Sequence, residues 1–363
     1  MAARTRPLEK LEVNHSFWHQ RSVLVSGANG YLGSNLVRML VKTGVEVVCL
    51  VRDWTPKSEL YRSGLDQHVR IVRGDLMDRE LLERIIAEYQ IQTVFHTAES
   101  RDHATAQTHP VATFETNVAG IWNLLEACRR YPHCGQVVLA ATDGESCLTA
   151  NGPVSNSTKS QLKRDLRPLT ISRQCGELIA RSYAHSQGLK VVQCRFGMLI
   201  GPGDLNWQHT LPGMIRHYVT NNPAPLTVNR QYLPSLLAID DATLTMLNLA
   251  QSLTKHDEIT GASFSFGLQE QLTGRQLAEI LQQILGVETP QTYLEQDQIY
   301  PAANMNLAKA AKILRWKPQF SLLDALTRTC EWYRHFLLQA HTDRTTLPFL
   351  RMSTAVDPAA KSA

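Results

Sequence analysis

Residues 22–33 read Ser22-Val23-Leu24-Val25-Ser26-Gly27-Ala28-Asn29-Gly30-Tyr31-Leu32-Gly33, and the folding of this stretch decides the rest of the chain. Its first five residues are a short β-branched run with the composition of a strand. The apolar-periodic stretch Leu36 to Val41 comes next and predicts a helix. Between the two, Gly27, Gly30 and Gly33 are spaced G-x-x-G-x-x-G. Missing side chains at such positions let backbone N–H groups approach a pyrophosphate at a helix N-terminus. Gly44 ends the helix and Val45 to Val51 reads as a second buried strand. Residues 22–51 therefore form one βαβ unit of about 30 residues, the length of a dinucleotide-binding fingerprint.

Working outward, the alternation continues. Val69 to Val72 and Thr93 to His96 read as strands around a helix from Arg79 to Tyr89. A helix around Asn117 to Arg130, the strand Gln136 to Ala140, a helix from about Thr170 to Ser186 and the strand Lys190 to Cys194 follow. Six strands joined by helical crossovers predict an α/β protein with a Rossmann-type doubly wound parallel sheet. From Gly197 the pattern loosens at Gly201-Pro202-Gly203, Pro212, Pro223, Pro225 and Pro234, which suits a smaller C-terminal substrate lobe. Ile239 to Leu253 reads as helix and Ala262 to Phe266 as strand. The expected division is an arm over 1–20, a dinucleotide-binding domain over 21–196, a substrate lobe over 197–340 and a flexible tail over 341–363. Within the lobe, about 236–267 return to the main domain.

Composition narrows the class. The 363 residues carry 43% apolar and 19% charged side chains, ordinary for a globular enzyme. A net charge of +4 is spread without basic runs, so no nucleic-acid partner is expected. The seven cysteines form no C-x-x-C pair, which argues against a zinc site or a disulfide framework and predicts no metal. The sequence has no apolar run of about 18 residues, and Met1 to Gln20 lack a signal-peptide core. The expectation is a cytoplasmic protein with no membrane segment.

The second strand of a dinucleotide fold ends beside the adenine ribose, and here it ends Leu50-Val51-Arg52-Asp53. Arg52 leans the choice towards NADP, because a guanidinium pairs with a 2′-phosphate, whereas Asp53 alone would favour NAD.

At this point the chain resembles the extended short-chain dehydrogenase/reductases that modify nucleotide sugars, most closely the CDP-glucose 4,6-dehydratase branch. The resemblance rests on Phe17-Trp18, Gly74-Asp75-Leu76, Val94-Phe95-His96-Thr97-Ala98 and Thr116-Asn117-Val118-Ala119-Gly120. It continues through Gly201-Pro202-Gly203-Asp204, Leu211-Pro212 and Leu314-Arg315-Trp316-Lys317-Pro318. It implies Tyr31 and Leu32 at the pyrophosphate and Asp75 and Leu76 beside adenine. Thr97, Ala98 and Asn117 would lie along the nicotinamide half, although Asn117 could instead cap a helix. It also implies a homodimer built on two long helices, about Val111 to Arg130 and Leu169 to Ser186.

The resemblance breaks at the chemistry. Active relatives carry Tyr-x-x-x-Lys on a helix, where the cation lowers the phenol's pKa. In this register the chain reads Leu169-Thr170-Ile171-Ser172-Arg173. Leucine transfers no proton, and Arg173 keeps only a charge for the nicotinamide ribose. Of the three residues that dehydratases carry after the preceding strand, Thr142 and Asp143 remain, while Gly144 replaces the third and Glu145 lies one position on. Met198 stands for an expected asparagine and Pro234 for a phosphate-binding arginine, which Arg230 could partly replace. Two readings stay open: a catalytically inactive, cofactor-binding homologue, or an altered enzyme using Asp143 or Glu145 for proton transfer on a nucleotide-sugar-like molecule.

Overall fold

The computed structural model describes residues 14–19, 21–142, 166–222, 226–229, 235–288, 291–294 and 305–342. Its described strands are β1 (Ser22–Ser26), β2 (Glu46–Val51), β3 (Arg70–Arg73), β4 (Thr93–His96), β5 (Gln136–Thr142) and β6 (Val191–Phe196), then β7 (Met198–Ile200), β8 (Leu226–Asn229), β9 (Leu236–Ala238), β10 (Ser263–Phe266) and β11 (Gln291–Leu294). The helices in the first half are α1 (His15–Trp18), α2 (Tyr31–Val41), α3 (Glu59–Arg62), α4 (Arg79–Glu88), α5 (His103–Thr108), α6 (Pro110–Phe114) and α7 (Gly120–Arg130). The second half adds α8 (Pro168–Gln187), α9 (Thr210–Val219), α10 (Ile239–Ser252), α11 (Gly274–Leu285), α12 (Leu307–Leu314) and α13 (Leu322–Thr342).

Seven strands form one sheet in the order β10-β6-β5-β4-β1-β2-β3, with every neighbouring pair parallel. The expected six-strand sheet is therefore present, and β10 extends it beside β6. A parallel central strand is covered on both faces, so its residues are buried throughout and alternate between two cores. Val23 and Val25 of β1 pack with Leu36, Val37 and Leu40 of α2 and Met246 and Leu247 of α10. Leu24 faces the other way, towards Leu82, Ile85 and Ile86 of α4 and Leu124 and Leu125 of α7. A third core gathers Leu211, Ile215 and Tyr218 of α9, Leu277 and Leu281 of α11, and Leu326 and Tyr333 of α13. Two small parallel pairs, β7 with β9 and β8 with β11, complete the described strands.

The segment before α13 is bound to α10 by polar contacts that burial makes hard to replace. The Asp241 carboxylate accepts the backbone N–H groups of Gln319 at 3.0 Å and Phe320 at 3.3 Å. The Trp316 indole N–H donates to Thr245 Oγ1 at 2.8 Å. Burial pushes Asp241 up to about 6, although the two donated N–H groups oppose the shift.

One helix begins before the start that its periodicity suggests, at the place the family resemblance implies. Instead of opening near Asn117, the helical segment runs from Pro110 to Arg130 and contains a π-helical turn over Glu115–Ala119. Asn117 is thus inside a helix and caps nothing. A π-turn inserts one residue into the helical register and turns a side chain to a new direction, a distortion common at functional sites.

His96 closes β4 and is fully buried, with Nδ1 2.7 Å from the Ser26 hydroxyl of β1. Burial lowers its pKa to about 4, so the folded state holds it neutral while the unfolded chain protonates near 6.5. This contribution to stability is present above pH 6.5 and is lost as pH falls towards 4, by up to about 3 kcal/mol. Denaturant midpoints measured from pH 7 to 4 should fall less steeply in His96→Asn than in the wild type. Parallel curves would show that His96 does not drive the loss.

Candidate dinucleotide site

Chain order reverses between β1 and β4, which are neighbours in the sheet, and the crevice lies at their C-terminal ends. Gly27 leaves β1 with φ +74°, and a Cβ there would sit 2.5 Å from the Ala98 backbone nitrogen beyond β4. A Cβ on Gly33 would sit 2.2 Å from the Gly27 carbonyl oxygen. Both positions therefore require glycine for steric reasons, and their backbones form one compact layer. The Gly30 N–H donates to the Gly27 carbonyl at 2.9 Å and shapes the turn into α2. α2 then starts at Tyr31 with no side-chain cap. Its first N–H groups are the orphan donors of a helix N-terminus, where partial positive charge favours an anion.

The other members of this loop serve through backbone and packing. Leu32 is core. The Tyr31 hydroxyl is buried beside Gly201 with no hydrogen-bond partner among the described residues. Burial first, then the fields of Tyr333, Asp204 and Asp240, raise its pKa well above the usual phenol value. Thr97 donates its hydroxyl to the Ser26 carbonyl at 2.8 Å and ties the end of β4 to the loop.

At the β2–β3 side, Arg52 Nε lies 2.8 Å from Asp53 Oδ2 and 3.9 Å from Asp75 Oδ2. The hydrogen bond to Asp53 raises the guanidinium's pKa further. Asp75 accepts the Met77 N–H at 2.9 Å, which fixes the turn after β3. Leu76 is buried, and its carbonyl accepts from Asn123 Nδ2 at 3.1 Å. α7 comes this close because Gly120 has no side chain; a Cβ there would be 3.0 Å from the Leu76 Cβ.

At the opposite end, the π-turn directs Asn117 inward. Its Oδ1 accepts the Ser100 N–H at 2.7 Å, and its Nδ2 donates to the Ser100 carbonyl and to Ser172 Oγ, each at 3.0 Å. One carboxamide thus fastens the segment after β4 to α8. The residues flanking Ser100 are charged: Glu99 pairs with Arg173 of α8, and Arg101 Nε lies 3.5 Å from Glu99 Oε2. Glu99 and Arg101 line the crevice with Gly30 to Gly33, Thr97, Ala140 and Phe196. Arg173 and Glu99 are each only 11% exposed, so their pairing is largely shielded from solvent. Leu169, one turn earlier on α8, is 1% exposed. The helix register is held by Glu177, which pairs with Arg195 of β6 and accepts from Ser263 of β10.

Glu99, Arg101 and Ser172 join the site only in the folded structure. The available signal was two opposite charges immediately after Thr97-Ala98, a place where the strand order already put the crevice. Thr142 ends β5 opposite Phe196 of β6. Met198 lies in β7, paired with Leu236. Asp143, Gly144, Glu145, Arg230 and Pro234 lie outside the described residues. No cluster of three or more metal-ligating side chains occurs among the described residues. No described helix is long and apolar enough to cross a membrane.

A parallel sheet in this order, with a glycine turn at the reversal point, defines a Rossmann-type nucleotide-binding fold. Residues 23–259 match the NAD dependent epimerase/dehydratase family, and the chain belongs to that family. Among curated relatives, UDP-glucuronate 4-epimerase 1 of Arabidopsis thaliana is 28% identical over 335 residues, covering 86% of this chain and 76% of the relative. CDP-glucose 4,6-dehydratase of Salmonella typhimurium is 23% identical over 343 residues, covering 90% and 94%. The solved structure of epimerase Mth375 from Methanothermobacter thermautotrophicus superposes with a TM-score of 0.76 at 21% identity, covering 93% of this chain and 98% of the other. The Bordetella bronchiseptica enzyme WbmF in complex with NAD+ gives 0.73 at 23%, covering 90% and 96%. At these identities the structural matches establish the fold.

The glycine packing is directly testable. Gly33→Ala should destabilise the protein by about 1–3 kcal/mol through forced displacement of the loop backbone. Gly135→Ala, whose Cβ would meet nothing nearer than 3.8 Å, serves as the control. Equal denaturant midpoints for the two variants would contradict the close approach.

Proposed function

We propose that the crevice binds NAD(P), and that this chain is a cofactor-binding homologue of nucleotide-sugar epimerases and dehydratases that does not perform the standard dehydration. The observation carrying this reading is the state of positions 169 and 173. Leu169 is buried and has no titratable proton, and Arg173 is committed to Glu99. A guanidinium stays protonated throughout the physiological range, so neither residue moves a proton to or from a sugar hydroxyl.

The glycine layer and uncapped α2 fit a pyrophosphate, since a Cβ at Gly27 or Gly33 would fill the cradle. Bound nicotinamide would supply the hydride acceptor or donor. The chain's own residues orient it: Thr97 and Ala98 support the glycine loop, and Asn117 holds the Ser100 segment against α8. At the ribose, Arg52 favours NADP, because a 2′-phosphate dianion competes with Asp53 for the exposed guanidinium. The small-molecule partner is nucleotide-sugar-like, as the names of the relatives suggest. The six described cysteines are free, which suits a reducing, cytoplasmic setting.

Titration of the purified protein with NADPH and NADH, followed by a panel of UDP-, CDP- and dTDP-sugars with product analysis, tests this reading. Both nucleotides should bind, NADPH more tightly, with no sugar converted. Arg52→Ala should equalise the two affinities. Failure of both nucleotides to bind would overturn cofactor binding. A converted sugar would instead favour altered chemistry, with Asp143 and Glu145 as the first residues to replace.

A homodimer is part of the same proposal. Val111 on α6, Trp122 on α7 and Leu178 on α8 are large apolar side chains exposed on the helices that would pair. Sedimentation at micromolar concentration should give a dimer, and a monomer would count against it.

A further inference from the structure

The β2–β3 side of the crevice carries a feature that the glycine loop and the acidic residues leave unexplained. Trp54, two residues after Arg52, is 63% exposed. Its indole makes no ring contact or hydrogen bond among the described residues. The segment bearing it is nevertheless held. Asn29, inside the glycine loop, donates Nδ2 to the Asp53 carbonyl at 3.2 Å and to Thr55 Oγ1 at 3.3 Å. Both neighbours of Trp54 are thus tethered to the proposed pyrophosphate cradle. In the turn after the adjacent strand β3, Met77 follows Asp75 and Leu76 and is 44% exposed. β2 and β3 pair through Val51 and Arg73, so Trp54 and Met77 follow neighbouring strand ends. Single exposed apolar side chains are ordinary. A tryptophan and a methionine at adjacent strand ends, one on a tethered segment beside an anion cradle, indicate a flat apolar ligand.

We propose that Trp54 is the stacking platform for the adenine ring, with Met77 covering the other side, so that affinity resides in the ADP half of the ligand. This rests on the reading that the crevice takes an adenine dinucleotide. Aromatic stacking is tolerant of the base and strong enough to dominate this end of the site. The nicotinamide end, by contrast, is built from the paired Glu99 and Arg173.

The test compares NADH, ADP-ribose and nicotinamide mononucleotide on the wild type, Trp54→Phe and Trp54→Ala. Trp54→Ala should raise the Kd of NADH and ADP-ribose alike by about tenfold. Trp54→Phe should retain most of the affinity, and thermal unfolding without ligand should be unchanged in both variants. ADP-ribose should quench wild-type tryptophan emission, with the quench lost in Trp54→Ala. Nicotinamide mononucleotide should bind weakly and be indifferent to both substitutions. Wild-type binding with an unchanged Kd in Trp54→Ala overturns the platform alone. A wild type that binds neither NADH nor ADP-ribose overturns both this proposal and the cofactor reading beneath it.

Discussion

The packing of the Gly27 backbone against Ala98 is the constraint on which the rest of the site depends. It brings the turns that leave β1 and β4 into direct contact at the one place where strand order reverses. A Cβ at Gly27 or Gly33 would force the layers apart, α2 would no longer aim its first N–H groups at the crevice, and Thr97 would lose the Ser26 carbonyl. The geometry is steric before it is electrostatic. Positive potential at the helix start becomes useful only because missing side chains allow a ligand to reach it.

A second layer of order comes from Asn117. The π-turn places its carboxamide where it satisfies both backbone groups of Ser100 and reaches Ser172 on α8. The charged residues on either side of Ser100 are thereby held beside the crevice. Arg173 then meets Glu99 in a largely shielded pair, and Arg101 approaches the same carboxylate from the other side of Ser100. At positions 169 and 173 the chain has a buried aliphatic side chain and a cation paired with a carboxylate. The glycine loop and sheet order are those of the family, and at Leu169 and Arg173 the structure shows packing and an ion pair.

Much of the architecture was legible because parallel sheets write simple patterns. β1 and β4 were readable to the residue, since each centres on a short apolar run, Val23-Leu24-Val25 or Val94-Phe95, that a strand covered on both faces requires. The helix containing Asn117 was harder. A π-turn leaves no distinctive composition, and Thr-Asn-Val-Ala looks equally like a helix start. Glu99 and Arg101 carry no local signature for a related reason: their partners lie more than seventy residues away, or depend on how Ser100 is held.

The amino-acid sequence by itself determined the βαβ fingerprint, the parallel order and the family resemblance, because these depend on local periodicity and residue type. Tertiary structure decided that Arg173 is bound by Glu99, that Asn117 clasps Ser100 and that Trp54 stands exposed on a tethered segment. Each joins elements distant in the chain or depends on their packing. Their energies come from burial and hydrogen-bond geometry, which exist only once those elements have met.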